Sequence, residues 1–325
     1  MLSARAESIG REFFRRRLQE AEEYRRRIAA PGAGAYRVVF GEADLLPGLI
    51  VDRYGDYLVV QTLDQGMDRH QAEILDCLTE MYSPKGIVLR NDAPVRTKEN
   101  LPLVAEVARG DVPARVSFPL NGFTMQADLL KGQKTGAYLD QRENYAAAAV
   151  YAKGRALDCF TSTGGFALHL AGSCETVEAV DSSAEALRMA AENAAANGVR
   201  NVEFKEADVF GLLSSPGFSH RRFETIVLDP PAFAKSRSTL QGAARGYKEI
   251  NRRALELLSP GGILITCSCS HHVSEAMLLG IVAEAALDAR RTVRVIERRT
   301  QSRDHPILLT VPETHYLKCL ILEAR

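Results

Sequence analysis

The sequence predicts an α/β protein: a C-terminal doubly wound, mostly parallel sheet, preceded by a small α+β domain and an N-terminal helix. Three observations lead there. From about residue 135 apolar strand-like runs alternate strictly with helical patterns, and near-continuous apolar strands between helices imply a sheet covered on both faces. Before that, short strands separated by Gly and Asp turns surround one helical pattern. The chain has 325 residues, and at roughly 100–200 residues per domain that length suggests two domains. Hydrophobic residues at 46% and charged residues at 25% supply a sizeable core and exclude a wholly disordered chain. Lys+Arg and Asp+Glu are equal at 41 each, which excludes a uniformly basic nucleic-acid coat but not a local basic face.

The elements follow in order. Residues 1–34 read as a basic helix with its linker. Eight Arg stand against five Glu in residues 1–30, so the helix is either a solvated face or an RNA-touching arm. Phe13, Phe14, Leu18, Ala21 and Tyr24 form its apolar stripe, and Pro31-Gly32 ends it. Residues 35–130 read as the central α+β domain. Its strands are Tyr36–Phe40, Leu49–Asp52, Tyr57–Gln61 and Gly86–Arg90, with a helix near 68–82. Ala114–Phe118 and Phe123–Ala127 flank Asn121-Gly122, a hairpin signal. Residues 131–325 read as the doubly wound domain. Strands are expected at Ala156–Phe160, Thr176–Asp181, Val202–Asp208, Phe223–Asp229, Ile263–Ser268, Val293–Arg298 and Tyr316–Leu322. Helices are expected between them, including 243–258 and 273–289, with Asn197-Gly198 closing an Ala-rich one.

The N-terminus is charged and lacks an apolar targeting core, and no run of 18 apolar residues occurs. Six Cys without a short-spaced framework read as reduced thiols. The expectation is a cytoplasmic protein with no membrane partner.

Ligands of doubly wound sheets bind outside the carboxyl ends of the strands, so the residues just after each strand are the candidates. The first strand runs through Asp158 and Phe160 to Thr163-Gly164-Gly165. Two glycines there allow a tight turn and the close approach of a ligand, although neither GxGxxG nor GxxxxGK[ST] is present. The second strand ends in Asp181-Ser182, where an acid accepts hydrogen bonds from ribose hydroxyls. Asp208 ends the third, placed to receive an adenine amino group, and the fourth ends Asp229-Pro230-Pro231-Ala232-Phe233. Acids closing three successive strands form a cofactor constellation.

The series D-x-F-x-x-T-G-G-F, A-V-D, E-A-D-V-F, L-D-P-P-x-F and P-G-G-I-L resembles class I S-adenosylmethionine-dependent methyltransferases, which are Rossmann-like. Five linked stretches narrow the match: GEADLLPGLIVDRYGDYLVVQ (41–61), KGQKTGAYLDQREN (131–144), DPPAFAKS (229–236), ITCSCSHH (265–272) and RDHPILLTVPETHYLK (303–318). Together, over roughly residues 10–325, they look like the bacterial 23S ribosomal RNA cytosine-C5 methyltransferases of the large-subunit methyltransferase I type. The resemblance implies S-adenosylmethionine as cofactor, ribosomal RNA or a large-subunit precursor as partner, and a central α/β domain before a seven-stranded methyltransferase domain. Members usually begin with a small RNA-binding PUA domain, whereas this sequence starts at or near the basic helix, so that domain is expected to be lacking. In the family, residues 131–144 fold over the cofactor, which makes Gln133, Lys134, Thr135, Tyr138 and Arg142 candidates. A homodimer is compatible with the sequence.

Cytosine C5 is a poor carbon nucleophile. Thiolate attack on C6 makes C5 enamine-like, and Cys is the natural residue for such covalent catalysis. Cys267 and Cys269 stand where the fifth strand leaves the sheet, on one side of it by the period-2 rule. The family's S-C-S maps onto Ser268-Cys269-Ser270, which makes Cys269 the nucleophile. Cys267 is the fallback, because related cytosine methyltransferases carry T-C-S there. A metal site is not expected, since these Cys and His271-His272 lack spaced chelating pairs. Asp229 can hydrogen-bond the N3/N4 edge of cytosine and stabilise the adduct, and the base must leave its stack to reach a buried thiol. Phe233 is either a stacking platform for that base or core, and Pro230 shapes the loop.

Residues 231–253 hold six basic side chains, including Lys235, Arg245 and Lys248, against one acid, and residues 288–303 hold six Arg against two acids. The first run adjoins Asp229 and suits phosphate. Two other readings use the same residues. Asp229-Pro230-Pro231 also resembles the motif that holds an amine in methylation of an exocyclic amine or guanine nitrogen, which needs no thiol. A non-catalytic RNA-binding assembly factor could keep the fold without the chemistry.

Overall fold

The computed structural model describes residues 6–28, 33–234 and 239–325. The chain forms two compact units. One is the chain up to Asp140 together with Ser302–Thr314, and the other is Gln141–Gln301 together with His315–Arg325.

The first unit opens with α1 (Arg11–Ile28). Its apolar stripe buries Phe13, Phe14, Leu18 and Ala21 in a core shared with strand residues such as Val38, Val51 and Val60. Much of its charge is neutralised locally, by Arg16 with Glu7 and Arg17 with Glu20 among others. Arg25 is buried, paired with Asp44 and donating to the Asp304 carbonyl at 2.9 Å. The strands β1 (Ala35–Phe40), β2 (Leu49–Tyr54), β3 (Tyr57–Thr62), β4 (Gly86–Asn91) and β5 (Val104–Gly110) form one sheet in chain order. The β3–β4 pair is parallel, because α2 (Gln65–Arg69) and α3 (Gln71–Tyr82) carry the chain back between them. A short helix α4 (Val95–Lys98) precedes β5. The hairpin at Asn121-Gly122 joins β6 (Val116–Leu120) to β7 (Phe123–Ala127). The sequence pattern misses β5 for a physical reason: it is largely exposed, so no apolar alternation marks it.

The second unit begins with α5 (Arg142–Tyr151) and then alternates strictly. Its elements are β8 (Arg155–Cys159), α6 (Gly165–Ala171), β9 (Thr176–Asp181), α7 (Ala184–Ala196), β10 (Val202–Glu206), α8 (Val209–Ser214) and β11 (Phe223–Leu228). After them come α9 (Leu240–Leu257), β12 (Leu258–Ser268), α10 (Glu275–Asp288), β13 (Val293–Thr300) and β14 (Lys318–Ala324). The seven strands lie in the order β10-β9-β8-β11-β12-β14-β13, as the doubly wound reading requires. Only β14 runs against its neighbours. The order reverses between β8 and β11, which is the switch point where such sheets open a crevice.

The third strand stops at Glu206, short of the expected Asp208. Asp208 instead accepts the backbone N–H of Gly211 at 2.7 Å and caps α8. Among the described residues no helix is long and apolar enough to cross a membrane.

Candidate active site

The carboxyl ends of β8, β9, β11 and β12 hold most of the candidates in the second unit. After β8 the backbone takes a left-handed conformation at Phe160, Ser162 and Gly164, so the loop turns sharply before α6. The two glycines serve packing. A Cβ on Gly165 would lie 2.4 Å from Cζ of Tyr145, and one on Gly164 would lie 2.7 Å from the Leu168 side chain. Their smallness admits these neighbours. Thr163 faces α7 through its carbonyl, which accepts the Asn193 amide at 3.1 Å.

Asp158 is fully buried. One carboxyl oxygen accepts the Thr161 hydroxyl at 2.6 Å, and the other has no hydrogen-bond partner. Burial, with a smaller contribution from nearby Asp229, pushes its pKa up to about 7. Asp181 accepts the backbone N–H groups of Ser162 and Ser183 at 2.9 Å each, which joins the turns after β8 and β9, and Ser182 is exposed beside it. Asp208 is exposed, with one oxygen engaged as the α8 cap.

This donor set fits S-adenosylmethionine. An orphaned buried carboxyl oxygen at Asp158 suits an ammonium group, Asp181 suits vicinal hydroxyls, and Asp208 suits an amino group. Gln133 and Thr135 belong to the first unit, where the Thr135 hydroxyl donates to Asp52 at 2.6 Å and lies 3.0 Å from the Tyr54 hydroxyl. Arg142 is buried at the start of α5.

The second cluster lies at β11 and β12. The Asp229 N–H donates weakly to the Cys159 carbonyl at 3.4 Å, and its carboxyl accepts the Gln141 amide at 2.9 Å. Gln141 accepts in turn from Asn144 at 2.7 Å, and Asn144 accepts from Arg299 Nε at 3.0 Å. A directed chain of donors from β13 therefore ends on Asp229. Gln141 lies inside one of the motifs, yet nothing in its type or spacing marks it as the partner of Asp229.

The two cysteines part company. Cys267 is fully buried and faces Cys319, its Cα partner on β14, and burial holds its thiol well above the ordinary range. Cys269 lies beyond the end of the strand and is partly exposed, while the other five cysteines are buried. Its thiol points to the buried Pro230 carbonyl at 3.9 Å. The segment around it is anchored on both sides. The Ser268 hydroxyl donates to the Tyr247 hydroxyl at 2.9 Å, and the Ser270 hydroxyl lies 3.1 Å from it. The Ala234 N–H, in the loop after β11, also reaches Ser270 Oγ at 3.3 Å. Asp229, Pro230 and Cys269 are thus held together, whereas Tyr247 carried no signal beyond its helical period.

Phe233 is half-buried between Tyr247 and Phe210, with ring centroids at 4.7 and 5.7 Å. Lys248 is paired with Glu284 and Asp288 of α10 at 3.2 and 3.0 Å. Arg252 and Arg253 pair with Glu249. Lys235 and Arg237 lie outside the described residues.

Residues 152–308 match the methyltransferase domain family model. Two structures with TM-scores of 0.86 and 20% identity each cover 99% of this chain and 84% of theirs. One is a Streptococcus mutans protein described as a SAM-dependent methyltransferase, and the other a methyltransferase complexed with SAH. The fold is therefore that of the S-adenosylmethionine-dependent methyltransferases. The ribosomal RNA large subunit methyltransferase I of Tolumonas auensis is 44% identical, over 98% of this chain and 82% of the relative. Its counterparts from Shewanella denitrificans and Escherichia coli are 43% and 42% identical, over 97% and 96% of this chain and 81% of each relative. With this degree of identity along nearly its whole length, the chain belongs to the ribosomal RNA large subunit methyltransferase I family.

Proposed function

We propose that the protein methylates C5 of a cytosine in large-subunit ribosomal RNA, with Cys269 as the nucleophile. The observation that carries this reading is the thiol itself. Cys269 is the one cysteine not buried, and its Sγ faces the Asp229-Pro230 turn at the switch-point end of the sheet.

Bound S-adenosylmethionine supplies a methyl group on a positively charged sulfur. Asp158, Asp181 and Asp208 bind and orient it. The Cys269 thiolate forms a bond to C6 of the extruded base, and the electron pair released into the ring makes C5 nucleophilic. Once C5 takes the methyl group and leaves the donor a neutral thioether, the C5 proton passes to a base, its C–H electron pair re-forms the C5–C6 double bond, and the S–C6 bond breaks to restore the thiolate. Asp229, oriented by Gln141, holds the N3/N4 edge of the base. Pro230 and Phe233 shape the pocket around it, and residues 35–130 serve as the RNA-binding support. Cations of the 231–253 run meet phosphates, among them Arg245, which is exposed.

The test is nucleoside analysis after incubation with labelled S-adenosylmethionine and unmodified large-subunit RNA, free or as a precursor particle. Labelled 5-methylcytidine that disappears with Cys269→Ala is expected. Label on adenosine or guanosine would transfer the chemistry to Asp229-Pro230-Pro231 and the amine reading. Absence of S-adenosylmethionine binding by calorimetry would favour the non-catalytic assembly-factor reading.

A further inference from the structure

The RDHPILLTVPETHYLK stretch ends in Lys318, and the chemistry above gives this residue no task. Lys318 opens β14 with its Cα opposite Ser268, and it is only 2% exposed. Its ammonium donates to the Ser270 carbonyl at 2.7 Å and the Tyr316 carbonyl at 2.8 Å. Both acceptors are neutral. Among the described residues no carboxylate forms an ion pair with it, although a buried charge is costly unless it is paired. Two of its three N–H groups are used, and the bond to Ser270 sets the ammonium beside the residue that follows Cys269.

We infer that Lys318 is a positioning residue for Cys269: it fixes the nucleophile's segment through the Ser270 carbonyl and serves as counter-charge to the ionised thiol. This rests on the reading of Cys269 as nucleophile, but it concerns the thiol alone and is testable without RNA or cofactor.

The surroundings are consistent with a cation–thiolate pair. Burial pulls the Lys318 pKa down to about 8, and the Cys269 charge opposes that fall. From α9, Tyr247 faces the same segment; burial pushes its hydroxyl up, so it stays neutral at physiological pH. His271 is exposed and stacks on Tyr316 with ring centroids 5.4 Å apart. Across the strand ends Asp229 interacts with buried Cys267, and Cys319 flanks Cys267 on the β14 side. Among the described residues, Lys318 is a buried cation tied to the segment of Cys269 through the Ser270 carbonyl. Because its charge is lost above about pH 8, it supports the thiolate below that pH.

The experiment is the pH dependence of iodoacetamide alkylation of the full chain, followed on the Cys269 peptide by mass spectrometry. The buried cysteines serve as internal controls. In the unmodified protein the midpoint is expected below the ordinary cysteine value of about 8.5. Lys318→Met should raise it by about one pH unit or more, which lowers the rate at pH 7 about tenfold, and Lys318→Arg should keep the low midpoint. A wild-type midpoint at or above 8.5, or an unchanged profile in a Lys318→Met variant with native circular dichroism, overturns the inference. If Lys318→Met does not fold, the wild-type midpoint decides alone. Failure of the cytosine reading appears separately, as label on another nucleoside with the alkylation profile intact.

Discussion

Cys267 and Cys269 stand two residues apart and have opposite prospects. Cys267 lies in the sheet with a thiol that burial holds neutral, while Cys269 leaves the strand and is partly exposed. Cys269→Ala should therefore abolish 5-methylcytidine formation. Cys267→Ala should retain it and cost about 1 kcal/mol of stability through the small cavity left behind, measured by thermal melting. Asp158 gives a second prediction at this scale. Its pKa of about 7 in the folded protein stands above its ordinary 3.8, so the folded state holds a proton that the unfolded state has released. The stability from neutral Asp158 is complete below about pH 4 and is lost as pH rises through 7. Asp158→Asn keeps the neutral form and should gain stability over wild type at pH 8, by up to a few kcal/mol. It should also weaken S-adenosylmethionine binding, measured by calorimetry.

The loop from β8 into α6 shows how an element constrains its neighbours. Tyr145 of α5 packs edge-on against Phe166 at 4.7 Å and in a tilted contact against His169 at 5.3 Å. Its ring fills the space that a Gly165 side chain would need. Gly165→Ala should destabilise by about 1–3 kcal/mol through overpacking. Gly172→Ala, at the end of the same helix with φ −71° and nothing within 4 Å of the added carbon, should be neutral or stabilise by about 0.4–1 kcal/mol. Paired urea melts compare them. His169 carries the opposite pH signature to Asp158. Burial lowers its pKa to about 4 from 6.5, so its contribution is complete above pH 6.5 and is lost as pH falls through 4. The two slopes oppose each other between about pH 4 and 6.5, and only that of Asp158 continues to 7.

Over the whole molecule, 41 basic and 41 acidic side chains cancel, and many of them pair locally. Lys248, Arg252 and Arg253, which a charge count marks as phosphate ligands, spend their charge on Glu284, Asp288 and Glu249. Arg245 of α9 is exposed and forms no ion pair with a described residue. In the proposed RNA-binding role, Arg245→Ala should reduce the slope of log affinity against log salt by about 0.7–0.9. Lys248→Ala should leave the slope nearly unchanged, because its charge is already compensated. Filter binding at several salt concentrations checks both.

Local periodicity was enough for most elements. The alternating half, the Asn121-Gly122 hairpin and the helix beginning at Arg11 are legible because strand and helix spacing are properties of neighbouring residues. The acids at strand ends were legible for the same reason. Edge strand β5 was not, since its exposure erases the pattern. Nor was the fate of Asp208, whose carboxylate caps a helix only because the strand stops two residues early. The partners of the chemistry were out of reach altogether. Gln141 meets Asp229 across 88 positions, and Lys318 meets Ser270 across 48. Chain order places the reactive residues at the sheet's carboxyl edge. Which thiol is exposed, which carboxyl stays buried and which cation is tied to the segment after Cys269 depend on burial and on contacts between distant segments, and those exist only once the strands have taken their order in the sheet.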